Sequence, residues 1–255
     1  MTTALTVAGF DPTGGAGLQA DIKAFHAHGV YALSVASSIT AQNTLGVSDV
    51  YAVSPEIFER QLSVLLSDIT PDTVKTGILP TADIVEILDR YIRKYNLKNL
   101  VIDPVTVSTS GKTMTEAGVP EAVKQKLLPL CECFTPNISE AALYSGMDIK
   151  TEADIDVAAR LLREFGVKTV IITGGQGFTS ATDTFYGGAE FIRMETPLKP
   201  GTYHGTGCLY SGAIAANLAK GMTMLESVRL AKEFVTNAID TRAIYPGGGM
   251  AILDV

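Results

Sequence analysis

With 46% hydrophobic and 18% charged side chains, this 255-residue chain has enough apolar sequence to bury one substantial core and is too apolar to remain disordered. Its net charge of -7, with no cluster of Lys and Arg, argues against a surface for phosphate backbones, so no nucleic-acid partner is expected. The opening MTTALTVAG has no basic leader and its apolar run stops at Gly9 and Asp11, which fits neither a signal peptide nor a membrane span and predicts a cytoplasmic protein.

Short β-branched runs alternate with helical patterns along the chain: ALTVA then LQADIKAFHAHG, YALSVASS then PEIFERQLSVLLSD, TVKTG then ADIVEILDRYIRKYN, NLVID then VPEAVKQKLLP. This is the pattern of βαβ units around a mainly parallel sheet. ECFTPN then leads into ISEAALYSG, and ADIDVAARLLREFG into KTVIITGG. DTFYGG and EFIRMETP predict an antiparallel hairpin, and helices over about 207–220 and 225–244 close the chain, with PGGG at 246–249 read as a flexible terminal loop. No linker or repeat interrupts the pattern, so a single α/β domain over 1–255 is expected. An odd total of three cysteines, without a spacing pattern, predicts reduced thiols rather than a disulfide framework.

Polar and glycine-containing clusters recur at strand ends: GFDPTGG, TAQNT, KTG, IDPV, TPN, TGG and HGTGC. Ligands of open α/β sheets bind beyond the carboxyl ends of the strands, so these clusters should meet in one crevice. Gly15 to Ala20 spells a dinucleotide fingerprint, but the next strand ends without the acidic residue that would hold a ribose. A structural turn and a small-substrate loop therefore stand beside the dinucleotide reading. No Walker lysine follows any glycine cluster.

The strongest local signal is His204-Gly205-Thr206-Gly207-Cys208 before a helix of small residues. Gly205, Thr206 and Gly207 would aim backbone N–H groups at an anion from a helix N-terminus, and the alternative is a plain glycine cap. Cys208, in the first turn, sits where the helix dipole favours a thiolate, to take a proton from a substrate hydroxyl or simply to line the hole. Asp103 and Glu140, at neighbouring strand ends, suit a magnesium ion shared with phosphates. Asn137 and Glu140 equally fit a capping box. His26 and His28, two apart on a helix, face different ways and do not make a metal site.

In combination GGAGLQAD, AQNT, VKTGIL, VIDPV, TPNISEA, ITGG and HGTGC resemble the hydroxymethylpyrimidine/phosphomethylpyrimidine kinases of thiamine biosynthesis, in the ribokinase superfamily, over nearly the whole chain. The resemblance implies a ribokinase-like three-layer α/β/α sandwich, with ATP and Mg2+ as cofactors and phosphorylation of a hydroxymethyl group, followed by a second phosphorylation of the monophosphate. It gives the opening loop to the pyrimidine: Gly9, Ala16 and Asp21 border the ring, Gln42 pairs with ring nitrogen and exocyclic amine, and Ile78 and Val105 are apolar walls. ATP lies near Asn137, Thr173 and Gly175, magnesium near Asp103 and Glu140, and Cys208 stands where sugar kinases of the superfamily have an aspartate base. A homodimer is also implied.

The chain departs from the family's commonest pattern inside the site: Phe10 for a small hydroxyl residue, Ile78 and Thr106 for Met, Thr109 and Thr173 for Lys, and Gln176 for His. Two fewer cations near the phosphates bear more on the second phosphorylation than on the first. Pyridoxal kinases of the same scaffold are the nearest alternative, though they typically lack the Gln of AQNT and carry Cys where this chain has Ser108. A catalytically weak pyrimidine-binding relative is the reading from another class.

Overall fold

The computed structural model describes residues 1–174 and 181–255. Strand β1 (Thr3–Phe10) leads to α1 (Gly17–Ala27), then to β2 (Tyr31–Asn43), β3 (Gly46–Ala52) and α2 (Pro55–Leu66). Next come β4 (Thr73–Thr76), α3 (Ala82–Tyr95), β5 (Leu100–Ile102), α4 (Val119–Lys126), β6 (Cys131–Phe134), α5 (Ile138–Ser145), α6 (Glu152–Glu164) and β7 (Thr169–Ile172). The chain ends with β8 (Ala181–Tyr186), β9 (Phe191–Thr196), β10 (Tyr203–His204), α7 (Thr206–Ala219), α8 (Met224–Thr241), β11 (Ala243–Ile244) and β12 (Ala251–Leu253). Nine strands form one sheet in the order β3-β2-β1-β4-β5-β6-β7-β8-β9, parallel from β2 to β7 and antiparallel at both edges.

Alternation along the strands sorts side chains into two cores. Leu5, Val7, Leu100, Ile102, Cys131 and Val170 face helices α2 to α6, whereas Ala4, Val101, Cys133 and Ile171 face α1, α7 and α8. The result is the three-layer sandwich the resemblance implies; Cys131 and Cys133, which a regular strand would turn to one face, lie in different layers because the β5–β6 register shifts by one residue between them. Helix α3 shows why the outer layers form: Ile84, Val85, Ile87, Leu88, Tyr91 and Ile92 recur at helical spacing and are buried, and Thr81 caps the start by accepting from the Ile84 N–H. In α7 every residue from Leu209 to Leu218 is buried, and only its small side chains let it lie so close to the sheet.

Two expectations change. VSDVYA forms β3 and pairs antiparallel with the far end of β2, which runs 13 residues and overshoots the core. Both its faces stay largely exposed or half-buried, so it carries no hydrophobic alternation to read. The expected flexible tail is instead anchored: the Met250 N–H donates to the Thr44 carbonyl at 2.8 Å, and β12 pairs with β10 and β11 in a small second sheet. The predicted β8–β9 hairpin forms, with Ala181 opposite Thr196. His28 Nδ1 lies 2.8 Å from the Ala24 carbonyl, a local contact within its own helix. Among the described residues no helix is long and apolar enough to cross a membrane.

Candidate active site

The ends of the parallel strands open into a cavity of about 640 Å³. Gly9, Ala16, Gln42, Ile78 and Val105 line one part of it, and Asp103, Asn137, Glu140, Thr173 and Gly205 to Cys208 also border it. A register shift between Ala8 and Gly9, where β1 pairs with β2, opens the strand at the cavity. The expected site residues are thus brought together with two exceptions. Gly175, like Gln176, lies outside the described residues.

Asp21 is the second exception. It is fully buried and does not border the cavity: its carboxylate accepts from Thr6 Oγ1 at 2.5 Å and from Lys75 Nζ at 2.7 and 2.9 Å. Its place on α1 turns it onto the sheet, toward a lysine inside β4, so it cannot act as the ring's acceptor. Lys75 is the residue that sequence reading passed over, because the alternation of TVKT gives no hint that a cation is tolerated there. Fully buried, it also lies 3.6 Å from Asp103 Oδ2. Burial disfavours its ammonium, but the charge of Asp21, with Cys208 and Asp103, outweighs this and holds its pKa above the usual lysine range.

The N-terminus of α7 borders the cavity. Gly205 caps it at φ +80°, and a Cβ there would fall 1.8 Å from the Gly15 carbonyl oxygen, so the segment can approach the opening loop only as glycine. Gly17 answers from the other side, at φ +58° with its Cβ position 2.2 Å from the Gly9 oxygen. The Ser211 hydroxyl lies 3.0 Å from Asp103 Oδ2 and 2.9 Å from the Gly207 carbonyl, linking the cradle to the acidic residue.

Cys208 departs from the thiolate expected at a helix start: burial pushes the thiol up to about 12, against the pull of Lys75. Glu140 and Asn137 do make the capping box, each accepting from the other's backbone N–H at 2.9 Å. The same Glu140 lines the cavity, and burial followed by the charge of Asp103 raises its carboxyl to about 8. Cap and ligand are therefore compatible roles.

Among the described residues no group of three or more His, Cys, Asp or Glu is placed to hold a metal ion. Magnesium bound beside phosphates needs only one or two carboxylates and keeps its waters, and Asp103 and Glu140 both border the cavity. The donor set fits. Thr109 and Thr173 border the cavity without charge, while Lys199 and Lys232 supply cations that the motifs did not reveal. Each is paired, Lys199 with Asp240 at 2.6 Å and Lys232 with Asp183 at 2.9 Å.

Glycines at a helix N-terminus bordering a cavity that also presents the Gln42 amide and apolar walls fit a small-molecule phosphotransferase with a ribokinase-like fold. Residues 11–254 match the phosphomethylpyrimidine kinase family, and the chain belongs to it. It is 40% identical to a hydroxymethylpyrimidine/phosphomethylpyrimidine kinase of Synechococcus elongatus over 96% of this chain and 95% of that one. It is 43% identical to a chloroplastic thiamine biosynthetic bifunctional enzyme of Arabidopsis thaliana over 96% of this chain, which spans 48% of that longer protein. A Bacillus subtilis pyridoxal kinase in complex with ADP superposes with a TM-score of 0.90 at 37% identity, covering 100% of this chain and 97% of that one.

Proposed function

We propose that the protein transfers the terminal phosphoryl group of ATP to the hydroxymethyl group of 4-amino-5-hydroxymethyl-2-methylpyrimidine, a step of thiamine biosynthesis. The observation that carries this reading is the recess itself: the Gln42 amide stands with the apolar Ile78 and Val105, a donor and an acceptor beside hydrophobic walls, as an aminopyrimidine requires. The relatives named as pyrimidine kinases support it.

In this reading the pyrimidine lies between Gly9, Ala16, Gln42, Ile78 and Val105, and the nucleotide extends toward Asn137 and Thr173. Asp103 and Glu140 would hold magnesium, which when bound neutralises charge on the phosphates. The N–H groups of Gly205 to Cys208 stabilise the charge that spreads over the phosphoryl oxygens in flight, and the α7 dipole adds to them. Cys208 accepts the alcohol proton. As a thiol at rest it must ionise first, so activity should rise toward alkaline pH. Because Thr109 and Thr173 carry no charge, phosphorylation of the alcohol is expected to outpace phosphorylation of its monophosphate.

The likeness to a pyridoxal kinase favours pyridoxal as the second reading. The deciding experiment measures ADP release with Mg-ATP against hydroxymethylpyrimidine, its monophosphate and pyridoxal on one preparation. Turnover of the pyrimidine alcohol supports the first reading. Turnover of pyridoxal alone replaces it, and turnover of none, with binding retained, means a pyrimidine-binding relative without catalysis.

A further inference from the structure

Ser211 takes no part in the roles above, although it sits between two groups that carry them. It is fully buried on α7, one turn after Gly207. Its hydroxyl has one hydrogen and three acceptors in reach: Asp103 Oδ2 at 3.0 Å, the Gly207 carbonyl at 2.9 Å and the Cys208 carbonyl at 3.2 Å. A helical serine ordinarily returns its hydrogen to the carbonyl four residues back. Here a carboxylate competes, and a hydrogen bond to an ion is about twice as strong as one between neutral groups, so the hydrogen goes to Asp103.

Other constraints act on the same residue. Pro104 confines Asp103 to extended backbone, and the Asp103 N–H donates to the Thr76 carbonyl at 3.0 Å. Lys75 Nζ stands 3.6 Å from Oδ2, but it is committed elsewhere, donating to both oxygens of Asp21 at 2.7 and 2.9 Å. Two carboxylates therefore share one buried ammonium. Both contacts to the Asp103 side chain fall on Oδ2; among the described residues Oδ1 has no hydrogen-bond partner, and Asp103 borders the cavity. A carboxylate that is 6% exposed, shares its only cation and is open at one oxygen suits a hard divalent ion beside phosphates.

We propose that Ser211 is a positioning residue for that ion: it holds Oδ2 of Asp103 from behind the cavity, so that Oδ1 is left to the metal. It also ties the carboxylate to the first turn of α7, whose N–H groups receive the phosphoryl group. The proposal deepens the kinase reading and rests on it. Its consequence is confined to metal-dependent binding. Without the Ser211 hydroxyl the Asp103 side chain is free to turn, and nucleotide binding weakens only where the metal takes part in it.

The test needs no alcohol, so it does not depend on which alcohol is the substrate. Affinity for ADP is measured by calorimetry with magnesium, and again with EDTA in its place, in wild type, Ser211→Ala, Asp103→Asn and the double variant. Wild type is expected to bind ADP more tightly with magnesium. S211A should lose most of that gain, a fall of about tenfold in affinity for Mg-ADP, while its affinity for metal-free ADP stays at the parent value. In the double variant the loss should equal that of D103N alone, because Ser211 acts through Asp103. An unchanged magnesium gain in S211A, an equal loss with and without the metal, or additive losses in the double variant overturns the proposal, since a merely structural disturbance of α7 lowers both affinities alike. If S211A does not fold, S211C, close to serine in size and a weak donor, carries the same test. ADP bound equally with and without magnesium by wild type refutes the proposal and leaves the kinase reading standing. No ADP binding in either condition removes the kinase reading itself, and the proposal with it.

Discussion

The two faces of the sheet differ in how much charge they bury. Toward α2 to α6 the strands offer mainly aliphatic and aromatic residues to amphipathic helices, with the buried Thr76 among them and, among the described residues, no ion pair. Toward α1 and α7 the same sheet carries Thr6, Lys75 and, past the end of β5, Asp103, satisfied by Asp21 and Ser211. The first face can be held by shape and area alone. On the second, removing any one partner strands the others without water, so the chemistry of the cleft is built into the folding of the layer beneath it.

The largest expected effect breaks that second face. Lys75→Met leaves Asp21 buried without its cation and should destabilise the protein by about 3–5 kcal/mol in urea unfolding. Adding Asp21→Asn should recover a good part of the loss, since the charge left without a partner is then gone too. If the double variant is no more stable than K75M, the ion pair is not the cause.

Next in size is Cys208→Ala, which should lower kcat about 100-fold while KM and stability stay near the parent values. Parent kcat/KM should rise with pH as the thiol, raised to about 12, begins to ionise; the variant's profile should be flat. A parallel rise in both would remove Cys208 from proton transfer.

Glu140→Gln sharpens the contrast through pH. An acid raised from 4.5 to about 8 keeps its proton in the folded chain after the unfolded chain has lost it. Its contribution to stability is therefore fullest below the unfolded pKa, declines as pH rises toward about 8, and is level above that. Glutamine keeps the acceptor at the third helical position, so the variant retains its cap and loses the slope. Melting temperatures measured from about pH 5 to about pH 9 would reveal it, and matching slopes in the two proteins would exclude Glu140 as the source. The smallest effect belongs to the apolar face: Ile84→Val should cost about 1 kcal/mol and leave kcat and KM untouched, and a kinetic change there would deny that the faces are separable.

The sequence by itself determined the alternation of strand and helix, the hairpin β8–β9 and the gathering of GFDPTGG, AQNT, IDPV, TPN and HGTGC at strand ends. All of these follow from local periodicity and from turn residues, which act over a few positions. The cap at Asn137 and Glu140 was legible for the same reason. Only the tertiary structure decided that Asp21 turns to Lys75, that Asp11 reaches His204 across 193 residues, that β3 adds an exposed edge, and that Met250, just past the 246–249 loop, is pinned to Thr44. Those outcomes depend on which charges end up without water and which backbone groups still need a partner, and neither is defined until the layers have closed.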